Sequence, residues 1–427
     1  MIGIVVGVLL VLLFLGLPVA YVLGITGTTW IMLSGNQLAT IANRLFDGIN
    51  SFTFLAIPFF ILAGEAMNKT NITSNLIKFV NIVFGRFRGA LAQANVYASL
   101  LFAGLTGAAI SDVSALGSIF IPAMHEQGYK KSFAAAITAT TSVVGPIIPP
   151  SIVMVMYGGI TGVSIGALFI GAIIPGILVG IGQSVMVGFM AKRHNYPKFD
   201  IDVTFKEFMI AFRDALVAII MPFIIIGGIL LGVFTPTEAA AVAVAYALIL
   251  GFLLYRSINL RDLYDMFAKT VRTSGTLFFI IAMAKILSWI VARTNLPGIL
   301  AEFLLTAGAG SPTLAFVYIL LFLLFMGTWM ETGASVVLLA PIFAPIMLEL
   351  GFHPIHFGVT MAITLNIGLV TPPLGVCLFA ASSIADVSFE SVAKEALPYL
   401  VLLLTSLFFI ALFPELTLWL PRLAGLL

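Results

Sequence analysis

The chain is poor in charge: of its 427 residues only 9% are Asp, Glu, Lys or Arg, while 61% are hydrophobic. A soluble globular domain carries about 25% charged residues, so water is not the main solvent of this surface. Cysteine is almost absent, and the single Cys377 excludes an intrachain disulfide and any cysteine-built metal site. Histidine is scarce too. His125, His194, His353 and His356 are scattered and all fall in predicted loops, which excludes a His-rich metal site and a histidine proton relay. A net charge of +2 leaves no basic footprint for nucleic acid. There is no Gly-x-x-x-x-Gly-Lys-Ser/Thr run and no polar segment long enough for an ATPase domain, so nucleotide hydrolysis is excluded as a source of work within this chain. An embedded enzyme lacks its parts as well, because His-Glu-x-x-His is absent and no histidine accompanies a serine within a predicted span.

What is plentiful is long apolar sequence, with a mean hydropathy of +1.16. Stretches such as 1–33 and 312–330 are apolar without period-two alternation, which predicts an all-α polytopic membrane protein and excludes a β-barrel. Spans or part-spans are expected near 2–25, 51–68, 90–110, 133–158, 165–190, 214–232, 237–255, 274–292, 312–330, 333–350, 356–380 and 397–413. The amino terminus has no basic n-region and no small-residue cleavage site, so it is expected to be a retained first span. Of the 20 basic residues, 13 fall in three predicted loops, 69–88, 192–213 and 256–272. The positive-inside bias makes these loops cytoplasmic, in agreement with the two spans between the second and the third.

The chain repeats itself. Residues 119–175 align with 342–398 at a constant offset of 223, without a gap and with thirteen identities in 57 positions. The matches sit on Pro122/Pro345, Glu126/Glu349, Gly128/Gly351, Gly145/Gly368, Pro149/Pro372, Pro150/Pro373 and Pro175/Pro398, residue types that shared apolar composition explains poorly. The same offset pairs Gly104 with Gly327. Loop 69–88 holds four basic residues and no acid, whereas its counterpart near 292–311 holds only Arg293 and Glu302, so the two copies are expected to be inverted in the membrane. The expected organisation is amino-terminal scaffold spans in 1–50, a first repeat in 51–190, connecting scaffold helices in 191–273 and a second repeat in 274–427.

Each repeat carries the same break: Thr140-Thr141-Ser142-Val143-Val144-Gly145-Pro146-Ile147-Ile148-Pro149-Pro150 in the first, Thr364-Leu365-Asn366-Ile367-Gly368-Leu369-Val370-Thr371-Pro372-Pro373 in the second. Paired prolines remove two backbone donors and push the preceding residue out of helical geometry. Such a pair can simply kink a helix, but its recurrence favours an interruption that lines a buried or wet cavity. Freed carbonyls beside hydroxyls or amides suit a monovalent cation, and inward-pointing helix amino termini suit a carboxylate. A small-residue run precedes each break, Gly104-Leu105-Thr106-Gly107-Ala108-Ala109-Ile110-Ser111-Asp112 and Gly327-Thr328-Trp329-Met330-Glu331-Thr332-Gly333-Ala334-Ser335. The glycines also serve close helix packing. Asp112 and Glu331 favour a re-entrant hairpin tip, since a carboxylate at membrane depth usually faces a cavity or a partner. Glu65, Glu238 and Lys285 are expected to be structural buried pairs, Trp30, Trp289, Trp329 and Trp419 an interfacial belt, and Arg293 either an interface anchor or an anion ligand.

The runs Phe102-Ala103-Gly104-Leu105-Thr106-Gly107, Ala115-Leu116-Gly117-Ser118-Ile119-Phe120-Ile121-Pro122-Ala123-Met124, Gly145-Pro146-Ile147-Ile148-Pro149-Pro150-Ser151, Phe59-Phe60-Ile61-Leu62-Ala63-Gly64 and Thr371-Pro372-Pro373-Leu374-Gly375 resemble the large membrane subunit of TRAP (tripartite ATP-independent periplasmic) transporters. The resemblance covers essentially the whole chain. It implies two inverted repeats of the ion-transporter type, a scaffold with an elevator-type transport domain, and residence in the bacterial inner membrane. It further implies Na⁺-coupled symport of an organic acid, with a small membrane subunit and a periplasmic solute-binding protein as partners. Carried over by position, one Na⁺ site would use Thr106, Gly145, Ile148 and Pro150, the other Gly327, Thr328, Gly368 and Thr371. Ser111, Asp112, Thr141, Asn366 and Arg293 would serve the solute. The departure is at Ala108, where members often carry a serine whose hydroxyl is here missing. An ion or solute channel, which also uses broken helices, is the alternative reading.

Overall fold

The computed structural model describes residues 2–70, 72–84, 88–106, 108–196 and 204–427, and these form twenty α-helices without a β-strand among them. The chain opens with α1 (Ile2–Phe14), α2 (Val19–Leu33), α3 (Ala39–Ile49), α4 (Ala56–Lys69) and α5 (Ile72–Phe84). The first repeat follows as α6 (Ala90–Thr106), α7 (Ala109–Glu126), α8 (Lys131–Thr141), α9 (Ile152–Thr161) and α10 (Ile165–Arg193). Next come α11 (Phe205–Leu230), α12 (Pro236–Ile249), α13 (Leu260–Arg293) and α14 (Leu296–Ala307). The second repeat is α15 (Pro312–Trp329), α16 (Thr332–Glu349), α17 (Pro354–Gly368), α18 (Val376–Ala385) and α19 (Phe389–Leu412), closed by α20 (Glu415–Leu423). Six helices of the described residues are long and apolar enough to cross a bilayer, and α3 with the segment Phe52–Lys69 makes a further span bent by 54°.

The repeat is visible in the helix boundaries themselves. Shifting α7 by 223 residues lands on both ends of α16, and the start of α8 lands on the start of α17. The Pro149–Pro150 and Pro372–Pro373 bonds are both cis, at the same offset. The copies exchange partners: α7 and α8 of the first pack on α18 of the second, while α16 and α17 of the second pack on α9 of the first. This reciprocal packing is what two related copies that exchange equivalent helices produce.

Several expectations for the connecting segments are corrected. Segment 69–88 is not a plain loop but contains α5, which packs on α11 and α6, and 292–311 contains α14. Both helices are short, and the polar residues of α5 hide it from a search for apolar runs. Most of the basic segment 256–272 is the start of the 34-residue α13, whose first turn is capped by Asn259 accepting from the Arg261 and Asp262 N–H groups at 2.9 Å each. The first predicted span divides at Gly16-Leu17-Pro18, where Gly16 has φ +76° and Pro18 denies a backbone donor. His356 is not in a loop. It is buried in α17, with Nδ1 2.9 Å from Thr417 Oγ1 and Nε2 3.2 Å from the Ala411 carbonyl. Trp30 is likewise buried, edge-to-face on Trp289 at 5.6 Å. Glu238 caps α12 with Thr235 at its exposed end, and Lys285 is exposed, so neither is a buried pair.

Hydrogen bonds stitch the first repeat together inside its apolar surroundings. Asn95 Nδ2 donates to Thr138 Oγ1 at 2.6 Å, Ser99 Oγ to Thr141 Oγ1 at 3.1 Å, and Gln183 Nε2 to the Thr140 carbonyl at 2.9 Å. In hydrocarbon these groups have no water to turn to, so α6, α8 and α10 are held as one block.

Candidate functional site

The two small-residue runs and the two breaks converge on one cavity of about 420 Å³. Its wall is built by the tip joining α6 to α7 (Ala108–Ser111), the tip joining α15 to α16 (Glu331–Gly333), the breaks at Pro146 and at Asn366 and Leu369, and faces of α4, α9 and α13. Chain chemistry explains this convergence. After Thr141 the first break tightens into a 3-10 turn over Ser142–Val144 and restarts only at Ser151, whose hydroxyl donates to the Pro146 carbonyl and accepts from the Met154 N–H at 3.3 Å. The second break restarts behind Gly375 at φ +55°, a conformation glycine adopts without penalty.

The two tips differ where it matters electrostatically. At the second, the Glu331 carboxylate accepts from the Ala334 N–H at 3.0 Å and so caps α16. At the first, Ala108 occupies the cap position with no side-chain oxygen, and the leading turn of α7 faces the cavity without such a cap. Helix amino termini carry a partial positive charge of roughly half an electron; the acid in the first turn of α7 is Asp112.

Of the residues expected to serve the solute, Ser111 and Asn366 line the cavity. Asn366 Oδ1 accepts from Thr332 Oγ1 at 2.9 Å and its Nδ2 donates to the Ala362 carbonyl at 2.8 Å, so it ties the second tip to the second break. Asp112 is buried and turned away from the cavity. Its carboxylate lies against the first break, where a Cβ on Gly145 would collide with Oδ2. Thr141 is buried in α8, its hydroxyl donating to the Ile137 carbonyl at 2.9 Å. Arg293 sits at the far end of α13 with its guanidinium 5.4 Å from the centre of the Trp289 ring. At 1.5 Å per residue it stands about 36 Å along the helix from the cavity-lining Lys269.

The residues expected around the cations split by repeat. Gly327, Thr328, Gly368 and Thr371 come together: Gly327 stands so close to the other strand of the break that an added Cβ would be 2.6 Å from the Leu365 carbonyl oxygen. Thr328 Oγ1 donates to the Phe325 carbonyl and Thr371 Oγ1 to the Ile367 carbonyl, both at 2.7 Å, which leaves the hydroxyl lone pairs as acceptors. Gly145 and Pro150 belong to the first break, while Ile148 packs toward Gly176 of α10. Thr106 ends α6, but its side chain and all of Gly107 lie outside the described residues. Among the described residues no three His, Cys, Asp or Glu side chains cluster as a metal site.

Of the rest of the wall, sequence reasoning singled out only Glu65, as one of a buried pair. Lys269, Thr273 and Thr276 of α13 and Glu65 and Asn68 of α4 line the cavity, with Lys269 Nζ 2.6 Å from Glu65 Oε1. The signal was a 4-then-3 spacing of polar residues, hidden because Lys269 read as part of a basic loop. A second cavity of about 830 Å³ lies outside Glu331, lined by apolar residues of α1, α2 and α13 to α16.

A polytopic helical protein with paired hairpin tips and paired broken helices around a membrane-embedded cavity is a transport protein, not an enzyme. A family model described as tripartite ATP-independent periplasmic transporter, DctM component, matches residues 6–416. The chain belongs to this family, the large permease component of TRAP transporters, and is a multi-pass protein of the bacterial inner membrane. It is 38% identical over 416 residues to the sialic acid TRAP transporter large permease SiaM of Vibrio cholerae, covering 96% of each chain. To the C4-dicarboxylate large permease DctM of Pseudomonas aeruginosa it is 37% identical over 405 residues, covering 95% of this chain and 94% of that one. Its fold is similar to the crystal structure of the YdaH transporter of Alcanivorax borkumensis, with a TM-score of 0.60 over 87% of each chain at 15% identity.

Proposed function

We propose that this chain is the membrane-crossing subunit of a Na⁺-coupled importer of an organic acid, working with a small membrane subunit and a periplasmic solute-binding protein. The observation that carries this reading is the single cavity on which both tips and both breaks converge, with the leading turn of α7 left without a side-chain cap. An uncapped helix amino terminus favours a carboxylate, in keeping with relatives named for sialic acid and C4-dicarboxylates.

Na⁺ in this reading is a co-transported substrate. Its two seats would be the breaks: Gly327, Thr328, Gly368 and Thr371 in the second repeat, and the Thr106 region with Gly145, Ile148 and Pro150 in the first, to which Asp112 adds a carboxylate against Gly145. Filling each seat would order the adjoining tip, because the tip and the break share its ligands. The ordered tips then present the conformation that accepts the acid, which is coupling by differential affinity of the two conformations. The block made of both tips and both breaks would carry the acid across against α4, α12 and α13, and the cavity faces of α4 and α13 would meet the acid at one end of that movement.

Uptake into proteoliposomes tests this. The vesicles hold this chain with its small subunit, and the labelled probes are sialic acid, succinate, a sugar acid and a keto acid, each with and without binding protein, under an inward Na⁺ gradient. Uptake that requires both binding protein and Na⁺ is the expected result. Flux that requires neither would instead establish a channel.

A further inference from the structure

The cavity wall also contains a complete ion pair. Lys269 of α13 and Glu65 of α4 both line the cavity and meet at 2.6 Å. Their burial is unequal: the Glu65 side chain is 19% exposed and that of Lys269 63%, so the ammonium is the more accessible of the two. The pair is not the sole tie between these helices. Lys69 and Asp262 join the same two at 2.9 Å, and neither of them lines the cavity. Lys269 is also the only cationic side chain on the described wall. The other carboxylate there, Glu331, is engaged by the Ala334 N–H. Along α13 the wall continues with the hydroxyl-bearing Thr273 and Thr276, one and two turns beyond Lys269.

We propose that Lys269 is the cationic ligand of the transported acid, and that Glu65 is the built-in counter-ion with which the solute carboxylate competes. The proposal rests on the reading of this cavity as the seat of an organic acid and names a residue that selects for anionic charge there. An ammonium has three donors, and the Glu65 carboxylate oxygen lies 2.6 Å from the nitrogen. In the empty cavity Glu65 is the ion-pair partner of that ammonium. When the acid arrives, its carboxylate takes the remaining donors against the pull of Glu65, so Glu65 lowers the affinity it also protects. Lys269 thus shares the cavity with the leading turn of α7, giving an acid with a carboxylate and a second polar end two points of attachment.

The two partners of a competing pair respond in opposite directions, and those of a merely structural pair respond alike. The test measures initial uptake of sialic acid, succinate, a sugar acid and a keto acid by the complete transporter in proteoliposomes at saturating Na⁺. Wild type is compared with Lys269→Gln, Lys269→Arg and Glu65→Gln, with thermal unfolding of each. For the acids that wild type takes up, Lys269→Gln is expected to raise KM about tenfold or more, Lys269→Arg to stay near wild type, and Glu65→Gln to lower KM. KM shifts of one sign in Lys269→Gln and Glu65→Gln, or shifts in neither, overturn the proposal. If Lys269→Gln does not fold, an unchanged or raised KM in Glu65→Gln still overturns it. A wild type that takes up none of these acids overturns the transport reading itself, and this assignment with it.

Discussion

Gly327 and Gly368 pack backbone against backbone: a Cβ on Gly368 would stand 2.5 Å from the Gly327 carbonyl carbon and 2.6 Å from its Cα. The helix leading into the second tip and the helix leading into the second break therefore touch without side chains between them, and the carbonyls of both become available to one small ion. Gly368→Ala must push the two apart, at a cost of about 1–3 kcal/mol from overpacking. Its expected effect on transport exceeds that on folding, seen as a rise in the Na⁺ concentration for half-maximal uptake at unchanged membrane abundance. The equivalent substitution at Gly310, which has open space around it, serves as a contrast for crowding, though its φ of +79° adds backbone strain.

The hydroxyls at the two breaks give a second prediction. Thr371→Val keeps the volume and removes a lone-pair donor, and Thr106→Val does the same at the first tip. Each is expected to raise the Na⁺ concentration needed for half-maximal uptake several-fold, whereas Ala108→Ser, which adds a hydroxyl at the first tip, lowers it. Measured Na⁺ dependence that is unchanged in both threonine variants would falsify the placement.

Asn366 and Thr332 form one unit with a 2.9 Å hydrogen bond between the second break and the second tip. Removing either partner leaves the other buried and unsatisfied, at about 1–3 kcal/mol. Asn366→Ala and Thr332→Val are each expected to lower stability by that amount, and the double variant by less than the sum, because the second substitution finds its partner already gone. Thermal unfolding of the four proteins in the same detergent closes the cycle.

The pair Lys69–Asp262 predicts a pH dependence. The hydrogen bond from Lys69, with further help from the Asn259 N–H, holds the Asp262 carboxyl below its ordinary value, and Asp262 in turn raises the Lys69 ammonium. A carboxyl whose folded-state value is depressed adds stability above its unfolded value and loses it as pH falls through the folded one. The difference in unfolding temperature between wild type and Asp262→Asn is therefore expected to be greatest near neutral pH and to close on acidification. Because the Lys69 side chain is about half exposed, high salt should shrink it.

Much of the architecture was legible before any coordinate. The offset of 223 residues reappears in both ends of α7 and α16 and in the paired cis prolines, because glycine and proline act on the backbone locally and leave their mark at fixed positions. Legible for the same reason were the two tips and the two breaks. α5 and α14 were not, since at 13 and 12 residues neither is long enough to read as a membrane span.

Side-chain direction was the other thing beyond reach. Asp112 and Ser111 are neighbours in the chain, yet one turns to the Gly145 break and the other to the cavity, and Arg293 shares a helix with Lys269 but lies far from the site. By itself, then, the sequence determined the solvent, the class, the duplication and the places where helices must stop, all of which depend on composition and on near neighbours. Only the tertiary structure decided which polar groups share a cavity. That choice depends on contacts such as Glu65 with Lys269, between residues some 200 positions apart in the chain, and local chemistry does not encode them.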